Sequence, residues 1–466
     1  MSSEVSIKVK WGKEVFDVNV DLESTGAILK AQLQSITSVP SDRQKIMGAT
    51  ILDDKALGAS GITNGKTLML VGSADEALVA SNKEKQKWAE DRKEVAQGKP
   101  RGLTNVGNTC YLNSSLQVLR QVPELNRLST TGGVVGQFQR LMKELSVDST
   151  QPIQPFPFLM AFHSSYPQFA QTDGQGRPMQ QDAEEAMSSV LQSMRQGCQS
   201  NPEEAAIFNK LFTITTEDSW SCTESEAEPP QLNTTQLLML PCNLGEGVMN
   251  VEGGFQANMD ATIVKHSNVL GRDAVWKCKK TITQLPEYLV VHLVRFGWRS
   301  DTSMKAKVLK PITFPFVLDT YMLCSDAIKK QLDPEREKVK VIRDELAKNR
   351  KEKKGRPDVP TIVDAEKLPP PPPPPAALSA LELGNKTGYY ELCGVVSHKG
   401  RTGDGGHYVG WVKDSKGNWV IVDDENSAFV TEEEIVRLKG VGEAHIAYLL
   451  LYRSKNPTTG ARAMPL

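Results

Sequence analysis

The sequence predicts an α+β protein: a small amino-terminal domain, then a large one that joins a helical part to an antiparallel β part. Three observations predict it. Strand-like alternation over Val5–Leu22 gives way at once to helical spacing from Leu29. A glycine-bearing segment ending at Cys110 opens a second apolar helix. Two apolar runs, Tyr408–Val412 and Trp419–Val422, flank a short polar turn.

In the amino-terminal part, Val5, Ile7 and Val9 alternate, as do Val18, Val20 and Leu22 after a turn at Gly12-Lys13, which predicts a hairpin of half-buried strands. Ser24 or Thr25 can cap a helix on which Leu29, Leu33 and Ile36 share one face, and Pro40 ends it. A short strand over Gln44–Met47 and a closing strand over Thr67–Val71 complete the unit. Residues 1–74 in this order resemble the ubiquitin fold, a β-grasp. Ubiquitin ends in Gly-Gly, whereas Val71-Gly72-Ser73-Ala74 runs straight on here, so this copy is expected to dock rather than to be conjugated.

Residues 75–100 turn charged and polar and read as a linker. Residues 101–456 read as one large domain, interrupted by a surface insertion at 328–386 that is expected to be flexible. The insertion begins in a strongly charged helix, from Ser325 to Lys354, and continues into a run of seven prolines, Pro369–Pro375. Polyproline is extended and has no internal hydrogen bonds, so that stretch stays out of any packed core. Residues 457–466 form a tail.

Composition narrows the function classes. Lys plus Arg number 55 against 56 Asp plus Glu, so no global field favours nucleic acid or a membrane surface. No apolar run approaches the ~18 residues that span a bilayer, and Met1–Val5 carries no secretory pattern. The seven cysteines are scattered, with no Cys-x-x-Cys, which fits free thiols in a reducing compartment, cytoplasmic and also nuclear.

Cys110 stands apart from the other six cysteines. It follows Asn105-Val106-Gly107-Asn108-Thr109, and Leu112, Leu116 and Leu119 after it fall at helical spacing. With Asn108 or Thr109 as cap, the thiol sits in the first turn, where unpaired amides and the helix dipole favour an anion. Gly107 lets backbone approach a reacting carbonyl closely.

Of the six histidines, His407 stands out. It follows Gly405-Gly406 and opens the first strand of the predicted hairpin. If Lys413 pairs with Gly417, His407 lies opposite Asp423; with a four-residue loop it faces Asp424. Either register brings a carboxylate to the imidazole, which would fix its tautomer and stabilise its charged form.

Asn-Val-Gly-Asn-Thr-Cys-Tyr-Leu-Asn resembles the cysteine box of the ubiquitin-specific proteases, papain-like deubiquitinases, and Gly-His-Tyr-Val…Trp…Asp-Asp resembles their histidine box. The resemblance implies Cys110 as nucleophile, His407 as base, Asp423 as the orienting acid in preference to Asp424, and Asn105 as a donor to the oxyanion. Gln180–Glu185 resembles the family's glutamine-aspartate box, which implies that Gln181 and Asp182 bind the extended tail of ubiquitin. Gly406 and Tyr408 flank the base as candidate walls of a channel for its terminal glycines. Gly297–Thr302 and Lys399–Gly406 are expected to form loops over that groove. Family members with structural zinc carry paired cysteines; Cys222 and Cys278 stand alone, so no zinc and no other cofactor is expected. The domain order resembles the proteasome-associated branch of the family. It implies ubiquitin conjugates as substrate and the regulatory particle of the 26S proteasome as partner of the ubiquitin-like domain. The rival reading is a non-catalytic adaptor for both.

Overall fold

The computed structural model describes residues 4–37, 39–74, 99–130, 132–147, 149, 151–174, 176–299, 304–353, 383–400, 405–414, 416–440 and 444–455. Most of the expected linker, the proline run, the tail and the tips of the two expected covering loops lie outside the described residues. No helix among the described residues is long and apolar enough to cross a membrane.

The amino-terminal part contains β1 (Glu4–Trp11), β2 (Glu14–Asp21), α1 (Gly26–Thr37), β3 (Lys45–Met47) and β4 (Thr67–Val71). β1 and β2 pair antiparallel about Gly12-Lys13, with Trp11 opposite Glu14 and Gly12 at φ 58°. β4 runs parallel to β1 and antiparallel to β3, giving the order β2-β1-β4-β3. The alternation seen in the sequence sorts the sheet: Ile7, Val9, Val18, Val20, Leu68 and Leu70 face inward onto Leu29 and Leu33 of α1. One expectation fails. Ile36 is exposed, and Thr37, four residues after Leu33, takes the inner position and donates its hydroxyl to Leu33 O at 2.7 Å. At the helical period, i+4 falls closer to the buried stripe than i+3 does here.

By contacts the chain divides into two units. The first comprises residues 1–120, 132–190 and 398–434, and the second 121–131, 191–397 and 435–466. Besides the ubiquitin-like part, the first contains the helix Cys110–Leu119, the helices Gly133–Leu145 and Phe156–Ser165, and the strands His407–Lys413, Trp419–Asp423 and Asn426–Phe429. These strands pair antiparallel in chain order, and the helix Cys110–Leu119 packs on the first of them.

The core strand of the second unit, Tyr288–Val294, pairs antiparallel with Ile446–Ser454 and parallel with Leu240–Asn243. Arg295 at its end is fully buried. Its guanidinium donates to Ala447 O at 2.6 Å, Lys310 O at 2.9 Å and Val308 O at 3.1 Å. Burial pushes it down to about 10, which leaves it charged at neutral pH. A separate four-stranded sheet is built from Ile214–Cys222, Gln231–Leu237, Asp260–Ser267 and Arg272–Gln284.

The charged helix spans Asp326–Lys353, as expected. Its first turns are docked rather than free. Leu332 and Val339 are buried, and Arg336 makes a fork onto Asp319 at 2.9 and 2.7 Å while its guanidinium lies between the rings of Tyr321 and Tyr389. The surface insertion therefore leaves the domain from an anchored base.

Candidate active site

The segment before Cys110 is wound around one side-chain carbonyl. Asn105 Oδ1 accepts from Gly107 N at 3.1 Å, Thr109 N at 3.2 Å and Thr109 Oγ1 at 3.3 Å. Gly107 at φ 110° and Asn108 at φ 51° make that winding possible. Thr109 occupies the cap position of the helix Cys110–Leu119, but its hydroxyl turns back to accept from Val106 N instead of capping an amide. The sulfur, on a residue only 2% exposed, stands at the start of a helix whose every residue is buried.

His407 begins its strand in the same unit. The hairpin register differs from both sequence alternatives: Lys413 pairs with Trp419, and the turn closes one residue further on, between Asp414 and Asn418. Asp414 Oδ1 accepts from the amides of Lys416 and Asn418, and Gly417 sits at φ 87°, so the turn chemistry sets the slip. Regular pairing stops at Gly410–Val422. Asp423 nevertheless reaches the ring, its Oδ1 2.5 Å from His407 Nε2. The side chain of Cys110 also acts on the His407 ring, through its charge and through hydrogen bonding. Burial pulls the imidazole's pKa down, but the charge on Cys110, then the bond to Asp423, hold it well above its ordinary value. An imidazole between a sulfur and a carboxylate can hold the thiol's proton and later release it.

Asp424 has a different task from Asp423. It is buried and left-handed at φ 48°, so its side chain departs from that of its neighbour. Its Oδ2 accepts from Asn105 Nδ2 and its Oδ1 from Asn113 Nδ2, both at 2.9 Å. Glu425 Oε1 accepts from Asn105 N at 2.8 Å, and Leu103 N donates to Asp424 O at 2.8 Å. Gly102 makes the approach possible, since a Cβ there would stand 2.4 Å from the carbonyl of Glu425.

The other expected site residues fall into different surroundings. Asp182 Oδ1 accepts from Glu184 N at 2.8 Å and so caps the helix Ala183–Cys198. Gln181 is half-buried. Tyr408 is buried with its ring 4.5 Å from that of His398; burial first, then the charge of Asp182, raise its phenol far above its usual value. It backs the site from the core side. Gly406, at φ 115°, lies where a Cβ would meet Lys399 O at 2.3 Å, so the loop before His407 closes on itself there.

One residue of the glutamine-aspartate box was given no role by the sequence. Gln180, just before the two that were singled out, places Nε2 3.3 Å and Oε1 3.8 Å from Cys110 Sγ. No periodicity marks it; its membership of that motif was the signal.

Among the described residues, His407, Asp423 and Asp424 form the one group of three that could hold a metal ion, their ligand atoms lying within 4.8 Å of one another. The same side chains already hydrogen-bond one another or the carboxamides of Asn105 and Asn113. Cys222 and Cys278 lie on paired strands, opposite Trp276 and Trp220 respectively.

The ubiquitin carboxyl-terminal hydrolase profile matches residues 101–452, and that of the ubiquitin family residues 5–75. The chain belongs to the ubiquitin carboxyl-terminal hydrolase family. It is similar over nearly its whole length to members from three organisms. Ubiquitin carboxyl-terminal hydrolase 7 of Arabidopsis thaliana is 34% identical, covering 97% of this chain and 99% of the relative. Ubiquitin carboxyl-terminal hydrolase 6 of Schizosaccharomyces pombe is 33% identical over the same shares. Ubiquitin carboxyl-terminal hydrolase 14 of Caenorhabditis elegans is 33% identical over 96% and 93%. The protein is thus a deubiquitinating cysteine hydrolase with an amino-terminal ubiquitin-like domain.

Proposed function

We propose that this enzyme removes ubiquitin from conjugates bound at the proteasome, cutting after ubiquitin's terminal glycine and so recycling it, with Cys110 as nucleophile. The observation that supports the proposal is a His407 imidazole bound to Asp423 through Nε2 and coupled electrostatically to Cys110. The sulfur attacks the glycine carbonyl, and the pair of electrons from the double bond passes to oxygen. His407, holding the thiol's proton, delivers it to the departing lysine amine, and the same imidazole then takes a proton from the water that opens the thioester. Asp423 fixes the ring and balances its charge. Asn105, oriented through Asp424, donates to the oxyanion. Asp182 and Gln181 receive the extended tail of ubiquitin, with Gly406 beside the base and Tyr408 supporting it from the core.

The partner reading is supported by the outer face of the ubiquitin-like sheet. Met69 stands opposite Met47 on adjacent strands, and both are about half exposed, as is Val71. Such a contiguous apolar surface on a small domain fits docking to a larger assembly. We place the enzyme in the cytoplasm and nucleus, in keeping with seven free cysteines.

Hydrolysis of a fluorogenic carboxyl-terminal amide of ubiquitin, with and without purified proteasome, tests the proposal. Turnover that proteasome stimulates, and that Cys110→Ala abolishes, is the expected result. Binding of ubiquitin without turnover would instead make the chain an adaptor.

A further inference from the structure

The geometry points to Gln180 as a second catalytic hydrogen-bond donor: its carboxamide holds the sulfur of Cys110 and then passes to the oxyanion as the acyl carbon bonds to that sulfur. The inference rests on Cys110 as nucleophile.

Three observations lead there. The first is contact with the reacting atom. Gln180 Nε2 lies 3.3 Å from Cys110 Sγ, with Oε1 further away at 3.8 Å. Nε2 donates to the sulfur and the thiol donates to Oε1; the shorter of the two bonds is the one that an anionic sulfur keeps.

The second is rigidity. Gln180 lies in an irregular segment tied down on both sides by the cysteine-bearing structure. Asn108 Nδ2 donates to Pro178 O at 2.8 Å, and Ser115 Oγ to Ala183 O at 3.2 Å. Asp182 adds the cap on the helix Ala183–Cys198. The backbone that carries Gln180 is thus held on both sides, so its side chain works from a fixed base when charge develops, which favours electrostatic stabilisation.

The third is the supply of donors. Asn105 spends its carbonyl on three protein donors and one of its two amide hydrogens on Asp424. One hydrogen remains for an oxyanion, and a tetrahedral oxygen accepts more than one. In the addition step the sulfur lone pair becomes the S–C bond and the π electrons move to oxygen. The sulfur loses its charge as the oxygen, two bonds away, gains it. The Nε2 hydrogen bond follows the charge, and no proton changes owner.

The test uses the full chain with Gln180→Ala and the near-isosteric Gln180→Glu, which keeps the shape and removes the donor. Thermal unfolding and affinity for free ubiquitin show that each variant is folded and binds substrate. Both are expected to lower kcat by about 10²-fold, the scale of one oxyanion donor, with KM changed less than about twofold. A ubiquitin whose terminal carboxylate is replaced by aldehyde forms a tetrahedral adduct with the thiol. Its affinity is expected to fall by a factor similar to that in kcat, while free ubiquitin binds as before. A purely structural role would not separate those two ligands. Equal kcat in the variants, or equal weakening of aldehyde and free ubiquitin, overturns the proposal. A wild-type chain that hydrolyses no ubiquitin amide would overturn the nucleophile assignment itself, and the role of Gln180 with it.

Discussion

The side-chain nitrogen of Asn105 lies 2.9 Å from a carboxylate oxygen of Asp424, although 319 positions separate the two residues. That bond sets the carboxamide's rotation, and Asp424 is simultaneously held by Asn113 on the cysteine helix. On the proposed mechanism, Asp424→Ala leaves both carboxamides short of an acceptor in a buried place. It is expected to lower stability by about 1–3 kcal/mol and kcat by about 10²-fold. Urea unfolding and steady-state kinetics measure the two effects separately.

Asp423→Asn removes charge without removing shape. The amide cannot serve His407 as the carboxylate does, and the wrong tautomer is then favoured. A fall in kcat approaching about 10⁴-fold is expected, the scale of the corresponding change in serine proteases, with the melting temperature nearly unchanged. The contrast with Asp424→Ala separates the tasks of two adjacent acids.

Burial acts most strongly on the ionisation of His407, and the sulfur is the largest influence against it. Burial favours the neutral ring, while the charge on Cys110 and the bond to Asp423 oppose burial and win. In Cys110→Ala the largest upward influence disappears and burial remains. The titration midpoint of the His407 ring, followed by nitrogen-15 NMR, is therefore expected to move to lower pH. An unchanged midpoint would mean that the two side chains do not share a proton.

Arg336 tests the anchoring of the charged helix. Arg336→Lys keeps a charge but loses the fork onto Asp319 and the stacking between Tyr321 and Tyr389. A loss of roughly 1–3 kcal/mol is expected in unfolding of the catalytic domain. Hydrolysis of the ubiquitin amide by the folded enzyme should stay at the wild-type rate.

Met69→Glu puts a charge on the exposed face of the ubiquitin-like sheet. Since the side chain is about half exposed, the fold should hold. Co-sedimentation with proteasome is expected to weaken at least about tenfold, while turnover without proteasome is unchanged.

What the sequence revealed follows the reach of local patterns. The ubiquitin-like sheet was legible because each strand alternates along its own length, and β4 was placed to the residue. The cysteine helix announced itself by Leu112, Leu116 and Leu119. Ile36 misled because a three-residue step and a four-residue step look alike on a short helix. The hairpin after His407 slipped because register depends on how Asp414 and Gly417 fold the turn, and one position moves every partner. The contact of Gln180 with the sulfur was out of reach for a stronger reason. Its meaning comes from Asn108–Pro178 and Ser115–Ala183, contacts about seventy positions apart that no periodicity encodes.

The tie between Asp424 and the loop around Asn105 has a consequence for synthesis. A ribosome that has delivered the cysteine helix must still add some three hundred residues before the strand His407–Lys413 that covers it, and the acid that clasps Asn105, can emerge. Such distant closure is slow to reach, and a nascent or prematurely terminated chain carries the thiol without its proton partner. On the proposed mechanism, the growing polypeptide cuts no ubiquitin until translation is almost over.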